Sequence, residues 1–445
     1  MQELKKQGSI LTPPTSFFAK LKFLGPGFIL SASIVGSGEL IATTILGAKG
    51  GFITFWVILV SCLIKVAIQL EYGKNAIITG KPLMAEFNEL MGPKLGKGHW
   101  SIWGIFLLTL LKILQLGGML GGAAITVHLM FPGLPLSLIA IFLGFTLILF
   151  FLKNYYTVIE RTSTFLVFGF TVLTLVSLIS LFYTPFGFTW GQVASGLTFQ
   201  LPSELIFVAI GAFGITGVAS DEIIAYTYWC QEKGYASYVG HNDGSVEWKN
   251  RAKGWIGIMY LDAFVAMLVY TVVTAAFYLL GASILNGREI IPEGTDLISS
   301  LAKIYTEALG PEARFAYLIG GFFALFSSVF ATLAYWTRLF PDILSQLGWI
   351  SKSPESWSKT IRILSITFPV CWVLTFLFLK EPGFMVLIGG VIGSVMLLIV
   401  VFGGVNFYKK NQPLALFNGF FARMMFWLST AAILLVSGYG IFKLF

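Results

Sequence analysis

Apolar residues run through this chain in blocks of about 20, each long enough to cross a bilayer as a helix, with short polar segments rich in glycine, proline and charge between them. The blocks fall at 26–48, 51–71, 101–129, 134–152, 163–184, 203–229, 256–281, 315–340, 363–379, 383–407 and 415–442. Unsatisfied backbone polar groups are not tolerated in lipid, so blocks of this length predict helices. The expected fold class is an all-α membrane protein of about 11 transmembrane helices, with no large soluble domain.

Two blocks are interrupted at mid-depth. The first reads Val35-Gly36-Ser37-Gly38-Glu39, and the sixth reads Gly211, Gly214 and Gly217 followed by Ser220-Asp221-Glu222. A carboxylate at the centre of the hydrocarbon costs about 2.5 kcal/mol or more, so it must face a cavity or a partner. Glycines beside it let a helix open, which exposes N–H and C=O groups where they line a site. Breaks at corresponding positions of two five-helix halves predict an inverted-repeat transporter with its site at the midplane. The boundaries read as a polar N-terminal segment 1–24, a core 25–407 with repeats at 25–184 and 203–407, and a peripheral eleventh helix within 408–445. Glycines that merely pack helices together are the structural alternative.

Composition agrees with the hydropathy pattern, since 56% of the 445 residues are hydrophobic and only 11% charged. The net charge of +8 does not call for nucleic acid. When loops are assigned alternately to the two sides, most Lys and Arg fall together, among them Lys5, Lys6, Lys20, Lys22, Lys74, Lys81, Lys233, Lys249, Arg251, Lys253, Lys409 and Lys410. That asymmetry predicts a cytoplasmic N-terminus and an external C-terminus in the plasma (inner) membrane. No removable signal peptide is expected. The partners expected are the lipid bilayer and a small substrate. No cofactor is expected, and no HExxH, GxxxxGK[ST] or GxSxG pattern suggests an enzyme.

Lys65 and Lys112 lie within the second and third blocks. Each is expected to face a cavity, snorkel or pair with a carboxylate, and so to act as a coupling or charge partner. Ser327, Ser328 and Thr332 could offer hydroxyls toward the broken first helix, or simply permit close packing. Asp262 reads as an inner-pathway or interfacial group, and Glu71 and Glu160 as solvated or gate-pairing groups. Cys62, Cys230 and Cys371 form no CxxC pattern, and His99, His128 and His241 read as structural or surface residues. Residues 231–254 read as an amphipathic connector on the bilayer surface, and 284–313 as an acidic outer loop.

The order of these features resembles the Nramp family of divalent-metal transporters. Gly25-Pro26-Gly27, Ser31 and the break after Val35 match its GPxxxxS run into the DPGN metal motif. Gln69, Gly73 and Thr79-Gly80-Lys81-Pro82 resemble its Q…G…TGK pattern, Gly122-Ala123-Ala124-Ile125 the end of its third span, and Ser327-Ser328 the serine pair of its eighth. The chain departs from the family at the signature residues. Gly36-Ser37-Gly38-Glu39 stands at DPGN, Val218-Ala219-Ser220 at MPH, and Leu116 and Met119 near the family's acidic positions.

What the resemblance implies is a five-plus-five transporter, here without the soft methionine ligand that selects transition metals. The remaining candidate metal ligands are hard oxygens, from Glu39, Asp221 and Glu222 and from carbonyls freed at the breaks. Such a set suits a Mg or Mn class cation, and a branch of Nramp-related proteins moves magnesium through a site lacking that methionine. Gly36, Ser37, Gly38, Gly217 and Ser220 complete the expected substrate site. A second reading stays open, because Gly36-Ser37-Gly38 also resembles the GSG element of amino-acid permeases. In that reading, amides at a half-helix N-terminus bind the carboxylate of an amino acid or other small organic solute.

Overall fold

The computed structural model describes residues 10–27, 35–153, 156–290, 293–417 and 419–444, without the side chains of Val35, Ser37, 156–164 and Leu444. Lys5, Lys6 and Ser31, and the side chains of Ser37, Glu160 and Arg161, lie outside this description.

Among the described residues, nine helices are long and apolar enough to cross a membrane: Phe55–Thr79, Trp100–Met130, Phe165–Tyr183, Ser203–Glu232, Val246–Arg288, Ala313–Leu347, Pro354–Leu379, Pro382–Leu414 and Phe420–Lys443. The shorter apolar helix Leu136–Leu152 and the broken helix ahead of Phe55 bring the spans to the eleven that the hydropathy blocks predict. Among the described residues the strands are confined to a small hairpin, in which β1 (Lys94–Leu95) pairs antiparallel with β2 (Gly98–His99) ahead of the third span. Exposed apolar side chains such as Phe142, Phe168, Leu374 and Leu435 cover the outside of the bundle, as expected of a surface that meets acyl chains.

The sixth span is interrupted in its backbone, and the first span is a distorted helix at its predicted break. The first span opens as a π-helix over Val35–Thr43 and tightens to an α-helix over Thr44–Gly50; wide turns of this kind concentrate at functional sites. The sixth span is α-helical over Ile206–Ile215, leaves the helix at Thr216 to Ala219, and resumes over Ser220–Glu232. Gly217 turns the corner with φ +61°, a conformation that costs glycine little. Small residues bring the elements together. A methyl on Gly214 would run into the Gly390 carbonyl of the tenth span, and one on Gly38 would lie 2.8 Å from the Ile215 carbonyl. The two breaks are therefore in direct backbone contact at the centre of the bundle.

The segment 231–254 differs from its expected surface course. It forms a short helix, Tyr235–Val239, and then opens the long seventh helix at Val246. Tyr235 and Trp248 are fully buried. Their polar atoms are satisfied inside the protein, where the Tyr235 hydroxyl donates to the Phe23 carbonyl at 2.7 Å and Trp248 Nε1 to the Gly240 carbonyl at 3.1 Å. The pattern of aromatics beside basic groups was the same for a protein-facing as for a lipid-facing segment. The stretch 284–313, expected as an acidic outer loop, contains an amphipathic helix, Leu297–Leu309, whose Leu297, Ile298, Leu301 and Ile304 are buried.

Asp262 anchors the start of the first span. Its carboxylate accepts N–H groups from Gly25 (2.8 Å) and Gly27 (2.5 Å) and the Tyr226 hydroxyl (3.1 Å). The unpaired amides of a helix N-terminus favour such an anion. Replacing Asp262 by alanine is expected to cost about 1.5–3 kcal/mol, the range for hydrogen bonds to charged groups, and to raise hydrogen exchange at the Gly25 and Gly27 amides. Unchanged exchange there would remove Asp262 as the anchor.

Candidate functional site

The site is built where the two breaks meet. Glu39, on the π-helical turn, is fully buried. Its Oε1 accepts the Gly217 N–H at 3.1 Å and the Thr274 hydroxyl at 2.9 Å, so it ties the first, sixth and seventh spans together. Its Oε2 has no hydrogen-bond partner. Gly36 packs against Ser328, and a methyl there would also lie 2.7 Å from the Ala324 carbonyl. Ser327 and Ser328 both donate to the Ala324 carbonyl within their own helix, at 3.3 and 2.9 Å, and Thr332 donates to the Ser328 carbonyl.

In the first turn after the sixth-span break, Asp221 forms an ion pair with Lys112 of the third span. The lysine is almost completely buried and the aspartate is 14% exposed. Lys112, Gln115, Leu116, Met119, Asp221, Glu222, Thr332 and Trp336 line a cavity of about 20 Å³, room for about one water-sized species. Gln115 Oε1, Asp221 Oδ1 and Glu222 Oε2 are buried and have no hydrogen-bond partner. Three orphan oxygens on residues lining one small cavity are hard donors of the kind that bind Mg²⁺ or Mn²⁺. Ser220 Oγ, in the same first turn, is also without a partner.

Lys65 does not take the carboxylate-paired course, one of the three expected for it. Among the described residues no carboxylate lies within ion-pair distance of it. Its ammonium instead donates to the Phe213 carbonyl at 2.8 Å and the Thr216 carbonyl at 2.7 Å. A helix that stops at Ile215 leaves its last carbonyls without N–H partners, and the lysine meets that need. The Thr216 carbonyl, one of those expected to be free for a metal, is thus already engaged.

The sequence-predicted residues are therefore drawn into two neighbouring groups: Glu39, Gly36, Gly38 and Gly217 at the helix crossing, and Lys112, Asp221 and Glu222 around the cavity. Glu39, Asp221 and Glu222 do not form one ready-made triad; among the described residues no group of three or more His, Cys, Asp or Glu side chains is placed to hold a metal ion. Gln115, Thr274, Ser61 and Trp336 were missed because a search for charges overlooks neutral polar residues. A glutamine in a hydrocarbon-depth helix was the available signal for Gln115.

Two broken helices crossing at mid-bundle, with buried carboxylates at the crossing, define a membrane transporter of the five-plus-five inverted-repeat class. A family model, Nramp (natural resistance-associated macrophage protein-like), matches residues 27–443. The chain belongs to the Nramp family. It is 28% identical over 325 residues to the divalent metal cation transporter MntH of Caldanaerobacter subterraneus subsp. tengcongensis, covering 71% of this chain and 69% of that protein. It is 25% identical to MntH of Bacillus subtilis, covering 63% and 62% of the two chains. The fold is similar to that of the Eremococcus coleocola manganese transporter, with a TM-score of 0.67, 18% identity, and 98% and 89% of the chains covered. It is also similar to MhsT, solved with L-phenylalanine, with a TM-score of 0.59, 15% identity, and 94% and 98% covered.

Proposed function

We propose that this protein carries a hard divalent cation, of the Mg or Mn class, across the plasma membrane by alternating access at the crossing of the first and sixth spans. The observation that carries this reading is the set of orphan oxygens on Gln115, Asp221 and Glu222 lining a cavity of about 20 Å³. Its size suits an ion rather than an amino acid. Glu39, with one free oxygen on the facing helix, offers a further oxygen ligand to the cation as it passes.

The relatives named as divalent metal cation transporters support the same class of substrate. The missing family methionine and histidine favour a harder ion than they would select. Lys112 competes with the cation for Asp221, so binding displaces the ammonium from the carboxylate. The charge distribution of the loops supports a cytoplasmic N-terminus, and the helix Phe420–Lys443 serves as a peripheral element outside the two repeats.

Thermal unfolding of the purified protein against Mg²⁺, Mn²⁺, Ca²⁺ and a panel of amino acids tests the reading. A bound substrate raises folded-state stability by mass action. Mg²⁺ or Mn²⁺ is expected to raise the midpoint with increasing concentration while the amino acids leave it unchanged. Stabilisation by an amino acid alone would transfer the site to the organic-solute class.

A further inference from the structure

We propose that Lys65 is a resident cation, its ammonium filling at the sixth-span break the place that an inorganic monovalent cation would otherwise take, so that the protein works without Na⁺. The ammonium sits between the Phe213 and Thr216 carbonyls, 2.8 and 2.7 Å away. Ser61 Oγ lies 3.0 Å from each of the same two carbonyls and accepts the Thr216 hydroxyl at 2.9 Å. The Phe213 ring centroid lies 5.2 Å from the ammonium.

Without the lysine this would be a buried cluster of four oxygens at the C-terminal end of a half-helix. The carbonyls there carry about half a unit of negative charge. Unwound carbonyls and half-helix ends are where broken-helix transporters hold Na⁺. The single Ser61 hydroxyl proton can satisfy only one of the two carbonyls at a time, so without the lysine the other lacks a donor, and an unsatisfied buried acceptor costs about 1–3 kcal/mol.

A tethered ammonium differs from a dissolved ion in one respect that matters for transport: it cannot leave. It neutralises the helix end and fixes the turn carrying Gly217, whose N–H binds Glu39, at every stage of a cycle and at any external Na⁺ concentration. The side chain is fully buried and has no carboxylate within ion-pair distance among the described residues, so it does not serve as a simple salt-bridge partner.

The test compares unfolding midpoints, and uptake in proteoliposomes, in NaCl, KCl and choline chloride at equal ionic strength. Wild type is expected to be indifferent to the choice of cation, with uptake within about twofold across the three salts, a difference well under 1.4 kcal/mol. Lys65→Ser leaves the four oxygens and adds a hydroxyl. It is expected to gain a Na⁺-specific rise in midpoint of about 2 °C or more. Should it not survive purification, Lys65→Gln takes its place under the same criterion. Lys65→Arg, which keeps a cation, is expected to remain Na⁺-indifferent.

Wild-type protein stabilised or driven by Na⁺ would overturn the proposal without any variant. So would a folded Lys65→Ser or Lys65→Gln protein that ignores Na⁺, since a lysine that only packs leaves no ion site behind. Midpoints measured without divalent cations keep this result separate from the substrate assignment.

Discussion

Glu39→Gln is expected to lower uptake of Mn²⁺ or Mg²⁺ at least tenfold, a loss of roughly 1.4 kcal/mol or more that follows when a group able to meet the cation as a carboxylate becomes a neutral amide, while the protein still folds. The side chain keeps its shape, and its carbonyl oxygen can still accept from the Gly217 N–H and the Thr274 hydroxyl, the two contacts that hold the native carboxylate. A neutral amide is also less costly than an ion to bury. What changes is Oε2, the atom without a partner, which becomes an amide donor that cannot ionise to bind a cation. Uptake in proteoliposomes, with unfolding measured in parallel, separates the two effects. Wild-type uptake by a well-folded variant would remove Glu39 from the pathway.

The second large effect concerns the pair between Lys112 and Asp221. Removing one member of a buried pair strands the other charge, at a cost of about 3–5 kcal/mol, whereas replacing both by apolar groups is often neutral. Lys112→Met and Asp221→Asn are each expected to lower the unfolding midpoint, and Lys112→Met/Asp221→Leu to recover most of the loss. Divalent cations make the pair informative about function. With the competing ammonium gone, Lys112→Met is expected to bind Mn²⁺ or Mg²⁺ more tightly than wild type and to be restored by it. Asp221→Asn has lost the carboxylate and is expected to gain nothing. Equal responses of the two variants to the cation would separate the ion pair from the substrate site.

Much of the architecture was legible in the chain because the bilayer is a severe solvent. Blocks of about 20 apolar residues have few other options there, and the eleven hydropathy blocks correspond to the spans observed. The breaks were legible for the same reason, since Gly36-Ser37-Gly38-Glu39 and Gly217 to Glu222 place flexible backbone and charge where lipid forbids both. The partners of those charges were not legible. Lys65 and Lys112 look alike in sequence, each an isolated lysine in an apolar helix. One meets the carbonyls of Phe213 and Thr216, and the other meets Asp221. Helix rotation and crossing decide between these outcomes, and local composition carries little information about either.

The same limit explains Gln115 and Thr274. Neutral polar side chains are common in membrane helices as packing groups, and only their position beside Glu222 or Glu39 gives them meaning. It also explains Tyr235 and Trp248, which a surface reading turned toward lipid and the fold turned inward. By itself the sequence determined the solvent, the number of spans, the location of the two breaks and the presence of charge at mid-depth, all consequences of the cost of polar atoms in hydrocarbon. The tertiary structure alone decided which carboxylate oxygens are spent and which remain free, because that depends on how helices far apart in the chain are rotated and packed against one another.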